Sequence, residues 1–268
     1  DVVFLQEVSK AFVELMGDPK NGLSELYHVH APKSMTEGSS DRDQNSVILL
    51  KKHRFRDVLD VAKEIVDKDT PVAEGDLLVL TVRDELAGSN ILLASFHGDT
   101  NGLATIPITE AVRLHAITKR PDHRLLFGMD ANTYEHPEAD QQGVTAFAEY
   151  YTSKNLNSCN GRTPNPKNYT TFHARTYLQS QLNKAVSLEE RDTKGDKNPK
   201  DFILFFDDDY RVMWTHRDNT GHGMYQDNMI FPTLAFPSDH AVTSSSLATN
   251  AGGKPYCTKN KVSLGACV

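Results

Sequence analysis

Asp239 and His240 stand side by side in Phe236-Pro237-Ser238-Asp239-His240-Ala241-Val242, just ahead of a short run that reads as a strand. An aspartate can hold a divalent cation, and an adjacent histidine can move a proton or contact a phosphate oxygen. Alone, such a pair is an ordinary turn; its weight comes from stretches upstream. Asp130 and Asn132 follow the apolar run Leu125-Leu126-Phe127-Gly128-Met129. Residues two apart in extended chain share a face, so the carboxylate can orient and deprotonate a water while the amide donates to a phosphate oxygen. The Asp-x-Asn pattern recurs at Asp43/Asn45, Asp99/Asn101 and Asp196/Asn198, but only the one at 130 follows an apolar strand and a glycine.

Three further residues extend the set. Glu7 ends the run Phe4-Leu5-Gln6-Glu7, where an acid is costly unless it is paired or metal-bound. His97 follows Ile91 to Phe96 and precedes Gly98 and Gly102, which let the backbone turn sharply. Asp201 leads the apolar run Phe202 to Phe206, either capping it or holding a histidine. A metal ligand, a histidine, a water-activating aspartate, an amide donor, an orienting aspartate and an Asp-His pair are the parts of metal-assisted phosphoester hydrolysis. The cation neutralises developing charge, Asp130 readies the water, and a histidine protonates the leaving oxygen.

Short strands and helices must position these groups. Residues 2–8 read as a buried strand and 10–16 as the start of a helix, with a polar loop over 31–46 and a strand from Ser46 to Leu50. The basic stretch Lys51-Lys52-His53-Arg54 reads as a solvated strand end, and 58–66 fits helix and strand equally. Leu77–Val82 and Asn90–Phe96, joined through Ala87-Gly88-Ser89, form a hairpin signal. Pro107–Thr118 is a helix, with Ala111, Leu114, Ala116 and Ile117 expected on its apolar side. Arg124–Phe127 is a short strand, Val144–Tyr151 a helix, 155–170 a loop, 188–200 a charged mobile segment, Asp201–Phe206 a strand, and 215–228 irregular. Strands in hairpins and strands separated by helices indicate a mixed α/β protein.

The chain has 268 residues, 38% hydrophobic and 24% charged, enough for a globular core. No apolar run approaches the ~20 residues that span a bilayer. A net charge of −7 argues against sequence-independent coating of a duplex, but not against a nuclease whose cations supply positive charge. Cys257 and Cys267 flank a polar loop and can pair, leaving Cys159 odd; Asn168-Tyr169-Thr170 is a glycosylation acceptor pattern. These two features lean towards a secreted or lumenal protein. The chain opens on a strand without an initiating Met, as expected of a cut chain.

The order of motifs from Leu5-Gln6-Glu7 to Ser238-Asp239-His240 resembles the endonuclease/exonuclease/phosphatase superfamily, which has the deoxyribonuclease I-like fold. That resemblance implies an α/β (α+β) four-layer sandwich, two packed mixed β-sheets flanked by helices, over residues 1–250, followed by a tail at 251–268. It implies Mg²⁺, with Mn²⁺ as a substitute, bound by Glu7 with Asp239 contributing to the metal region. Asp130 positions the nucleophilic water, Asn132 binds phosphate, His97 contacts phosphate or protonates the leaving group, and His240 is oriented by Asp201. Relatives carry an earlier strand with an asparagine near the metal, which this sequence starts too late to contain. Met129 stretches the usual Gly-Asp-x-Asn, and Gln44 with Asp43 stands where relatives place an acid, leaving the carboxylate partner of His97 open. Arg175 to Lys184 mixes cations and amides and suits a specificity element. The implied substrate is a phosphate ester, nucleic acid favoured, with lipid or inositol phosphates as the alternative. A non-catalytic binding module on the same fold is the reading from another class.

Overall fold

In the computed structural model, which describes residues 1–36, 44–67, 70–172 and 196–250, two sheets lie face to face with helices outside them. The smaller, antiparallel sheet has the order β1-β3-β2 and consists of β1 (Val2–Val8), β2 (Tyr27–His30) and β3 (Asn45–Lys51). The outer layer beside it is formed by α1 (Lys10–Gly17), α2 (Gly22–Leu26) and α3 (Lys33–Thr36). β3 alternates as a strand between two packed layers must. Ile48 and Leu50 pack towards the larger sheet, while Val47 and Leu49 pack with Met16 and Met35.

The larger sheet has the order β4-β5-β6-β7-β9-β8. It comprises β4 (Phe55–Asp60), β5 (Leu77–Asp84), β6 (Ser89–His97), β7 (His123–Asp130), β8 (Leu156–Ser158) and β9 (Asp201–Phe206). Its pairings are antiparallel except β6 with β7, so this sheet alone is mixed. Both faces of its centre are buried, which explains why β5 and β6 read as continuous apolar runs. On its far face pack α4 (Thr105–Lys119) and α5 (Val144–Ser153). Val144, Phe147, Ala148 and Tyr151 form the apolar stripe of α5, and Phe147 meets Phe202 of β9 edge to face at 5.5 Å. An antiparallel ribbon, β10 (Tyr210–Asp218) with β11 (Val242–Thr249), follows β9 in the chain.

Several expectations are corrected. The buried stripe of α4 is Ile108, Val112, His115 and Ala116, whereas Leu114 and Ile117 are 42% and 41% exposed. α3 lies in the segment read as loop, β8 in another, and β10 continues to Asp218 through residues read as irregular. Residues 58–66 resolve into the end of β4 and a 3-10 turn at Ala62–Glu64. Of the basic stretch, Lys51 pairs with Asp1, and Arg54 pairs with Asp1 and buried Asp84. Asn198 and Lys200, at the end of the segment expected to be charged and mobile, are buried. The Arg175–Lys184 segment, Cys257 and Cys267 lie outside the described residues. No helix among the described residues is long and apolar enough to cross a membrane.

Gly128 sets how closely the two sheets approach. A Cβ built there would lie 2.3 Å from the Phe4 ring, far inside van der Waals contact. Gly128 stands two residues before Asp130, and Phe4 three before Glu7.

Candidate active site

Strand register lines up four of the polar groups in one row across the larger sheet. Leu77 pairs with Phe96, and one step further the His97 N–H donates to the Asp76 carbonyl at 2.9 Å. His97 pairs with Asp130 across the parallel β6–β7 ladder, and Asp130 pairs with Asp201 across β7–β9. Each belongs at a strand end, where the apolar run stops and a polar side chain can emerge. The order across the sheet is Asp76, His97, Asp130, Asp201.

His240 completes the row from the loop ahead of β11. The Ser238 hydroxyl bonds both the N–H and the carbonyl of His240, and the Ala241 N–H donates to the Thr170 carbonyl at 2.7 Å, fixing the loop. His240 Nδ1 lies 2.9 Å from Asp201 Oδ2, and its Nε2 lies 3.7 Å from Asp130 Oδ2. On the other side, His97 Nε2 lies 3.9 Å from Asp130 Oδ2, and its Nδ1 lies 3.8 Å from Asp76 Oδ1. Asp130, only 5% exposed, is therefore flanked by two imidazoles, each backed by another carboxylate.

Glu7 reaches the row from the smaller sheet. A bulge interrupts the β1–β3 register between Leu5 and Val8, and Glu7 takes φ of 55°. Gln6 Nε2 donates to Ser95 Oγ at 3.0 Å, and Ser95 Oγ to the Leu5 carbonyl at 3.3 Å, pinning the bulge onto β6. Glu7 Oε1 then lies 3.3 Å from His97 Nε2, while its side chain remains 52% exposed. Asn132, also at positive φ (46°), donates its backbone N–H to Asp130 Oδ1 at 2.9 Å and its Nδ2 to the Gly98 carbonyl at 2.8 Å. One amide hydrogen of Asn132 thus ties two loops together. Asp239 is half-buried beside His240, and its charge helps to raise the His240 pKa.

The charges follow from this geometry. Burial opposes a charged His97, but the carboxylates of Asp76, Glu7 and Asp130 outweigh it and raise the pKa to about 9. Burial likewise opposes His240, and Asp201 and Asp130 raise it to about 10. Both rings carry their proton at neutral pH. Asp130 is pushed up by burial and pulled back by His240, whereas the His97 contact holds Glu7 below the ordinary carboxylate range.

Two residues of this neighbourhood were not among the candidates singled out in the sequence. Asp76 is the carboxylate behind His97. The hairpin held the signal for it, because extending the Leu77–Phe96 register by one step puts residue 76 opposite residue 97. Lys200 is 6% exposed, with Nζ 2.8 Å from Asp196 Oδ2 and 5.4 Å from the centre of the Tyr134 ring. Its positive charge acts on both Asp130 and Glu7.

Among the described residues, Asp130, Asp201 and His240 place one potential ligand atom each within 4.8 Å of one another. In this structure the same three residues form an ion-pair cluster, with His240 Nδ1 2.9 Å from Asp201 Oδ2 and its Nε2 3.7 Å from Asp130 Oδ2. Glu7, exposed at the open side of the row, is an oxygen donor of the kind hard divalent cations select.

The fold, a two-sheet sandwich of the deoxyribonuclease I-like kind, is shared with solved structures that include endonuclease/exonuclease/phosphatase family proteins. An endonuclease/exonuclease/phosphatase from Bacteroides vulgatus superimposes with a TM-score of 0.59 at 13% identity, over 93% of this chain and 85% of that one. D. rerio TDP2, complexed with a single-strand DNA product, gives 0.57 at 15% identity, over 93% and 86%. The human Nocturnin catalytic domain, with bound sulfate anion, gives 0.56 at 15% identity, over 93% and 81%. No protein-family model and no curated protein matches the sequence.

Proposed function

We propose that this chain is a metal-assisted phosphoester hydrolase, acting on phosphodiesters with nucleic acid as the favoured substrate. The observation that carries the reading is the buried Asp130 carboxylate between two protonated imidazoles, His97 and His240. Asp130 takes a proton from the attacking water as the water oxygen bonds to phosphorus. The bond from phosphorus to the leaving oxygen breaks, and an imidazolium gives that oxygen its proton. Asp201 keeps His240 oriented through Nδ1, so the Nε2 proton points towards Asp130 and the reacting phosphate. Asn132 supplies an amide hydrogen to a non-bridging oxygen. Glu7 would hold Mg²⁺, or Mn²⁺ in its place, with Asp239 contributing; a bound cation would supply positive charge against that developing on the phosphate. The DNA-product complex of TDP2 supports the nucleic-acid preference.

A substrate panel tests this: single- and double-stranded DNA, poly(A) RNA, sphingomyelin, an inositol polyphosphate and a sugar phosphate, each with magnesium and with chelator. The sugar phosphate is included because a Bacteroides thetaiotaomicron mannosyl-6-phosphatase shares the fold, with a TM-score of 0.54 at 13% identity. Magnesium-dependent cleavage of DNA or RNA is expected. Asp130→Asn should reduce turnover by roughly 10²–10⁴-fold with the melting temperature nearly unchanged. Near-normal turnover in that variant would remove Asp130 from the chemistry.

A further inference from the structure

A buried cation lies beside the row and takes no part in the proposed chemistry. Lys200 is 6% exposed, and its Nζ donates to Asp196 Oδ2 at 2.8 Å. The other oxygen of that carboxylate, Oδ1, accepts from Asn198 Nδ2 at 2.6 Å. Burial opposes the Lys200 charge, but Asp196 and Asp130 outweigh it and hold the ammonium above its ordinary pKa. A buried ion pair contributes little net stability compared with apolar side chains of the same size. What it fixes well is geometry, because moving either partner leaves the other uncompensated.

The geometry fixed here is that of the loop after β7. Its odd-numbered residues bond to the segment that enters β9. The Ala131 N–H donates to the Lys200 carbonyl at 2.7 Å, Thr133 Oγ1 to the Pro199 carbonyl at 2.5 Å, and the Glu135 N–H to Asn198 Oδ1 at 3.0 Å. Its even-numbered residues bond to the loop after β6. Asn132 Nδ2 donates to the Gly98 carbonyl at 2.8 Å, and the Tyr134 hydroxyl to the Thr100 carbonyl at 2.7 Å. Lys200 meets both sets. Its carbonyl takes the Ala131 N–H, and its ammonium lies 5.4 Å from the centre of the Tyr134 ring, within cation–π range. Asp196 meets the first set again, through Asn198. Asn132 lies between these anchors at φ of 46°, a conformation that the surrounding structure must hold.

We propose that the Asp196–Lys200 pair is a positioning device for Asn132: the salt bridge clamps the 131–135 loop so that the Asn132 amide meets the substrate phosphate beside Asp130. This rests on the phosphoester reading, which gives Asn132 its role, and it adds two residues that act without touching substrate.

Lys200→Met removes the charge and nearly keeps the length of the side chain. With bis(p-nitrophenyl) phosphate as substrate, it should raise KM about threefold and lower kcat about threefold, because Asn132 is displaced in both the bound and the reacting complex. Loss of folded protein alone would lower kcat and leave KM unchanged, and that pattern would overturn the proposal. In an Asn132→Ala background, Lys200→Met should lower kcat/KM by less than about twofold further, since residues acting through one group are not additive. A roughly tenfold loss repeated in that background would show that Lys200 does not act through Asn132. A second readout needs no turnover. Hydrogen exchange at the Glu135 N–H should quicken roughly tenfold or more in Lys200→Met, with the amides of α4 unchanged. Asp196→Asn, which keeps the shape of the side chain and breaks the ion pair, should give the same exchange pattern and covers the case in which Lys200→Met does not fold. Unchanged exchange at Glu135 would sink the clamp whatever the activity. Failure of the unaltered chain to hydrolyse any ester would sink the phosphoester reading, and the exchange result then supports or overturns the clamp by itself.

Discussion

His240 and His97 flank the same carboxylate but are held differently. His240 is oriented by one partner, through a 2.9 Å hydrogen bond to Asp201 within the row. His97 meets Asp76 at 3.8 Å, too long for a hydrogen bond, and meets Glu7 of the other sheet at 3.3 Å. Its orientation comes from the packing of two sheets and from its backbone bond to Asp76. One imidazole depends on a single side chain, the other on an assembly. The contrast separates orientation by hydrogen bond from orientation by architecture.

The largest effect expected from this contrast is at Asp201. Asp201→Asn should lower kcat by about 100-fold, because the amide can present the wrong group to Nδ1 and release the ring. Asp76→Asn should cost about tenfold, since Glu7 and the backbone still hold His97. Equal losses in steady-state assays of the two variants would break the contrast. A smaller effect separates them by pH. Both imidazoles are held protonated, His97 to about 9 and His240 to about 10. Activity that needs both imidazolium protons is retained below these values and falls as pH rises through about 9. Removing the Asp76 charge lowers the His97 pKa and moves the alkaline limb of kcat/KM to lower pH; an unmoved limb would show that Asp76 does not govern that proton.

The smallest effect supplies a baseline away from the row. On α4, Glu110 accepts two hydrogen bonds from Arg113 and one from the Tyr150 hydroxyl, and Arg113 foremost depresses its pKa to about 2. A depressed carboxylate stabilises the fold above its unfolded value, here 4.5, and that contribution disappears as pH falls towards 2. Glu110→Gln should lower the melting temperature at pH 7 by a few degrees at most, with the gap closing between pH 4.5 and 2. Calorimetry across that range checks the sign.

The sequence revealed the row unevenly, for identifiable reasons. Apolar runs ending in a polar residue marked Glu7, His97, Asp130 and Asp201, because a buried strand emerging at a sheet edge leaves that pattern. Asp76 left none: it follows Glu74-Gly75 in an ordinary loop and gains its place only through the hairpin register. Lys200 sat in a segment whose charge suggested solvent, yet Asp196 four residues earlier neutralises it in a buried setting. The face of α4 was misread because its buried stripe includes His115, while exposed Leu114 and Ile117 offered a more apolar alternative. The Glu7 bulge was equally hidden, since a left-handed glutamate has no signature in residue type.

The contact between Gly128 and the Phe4 ring has a further consequence. It acts as a gauge block between the two layers: the missing methyl group sets their spacing, and each layer carries one of the facing acids, Glu7 and Asp130. Gly128→Ala would touch no polar group and no proton. It would wedge the layers apart at the base, so the electrostatics of the open edge are calibrated by the thickness of the hydrocarbon beneath it.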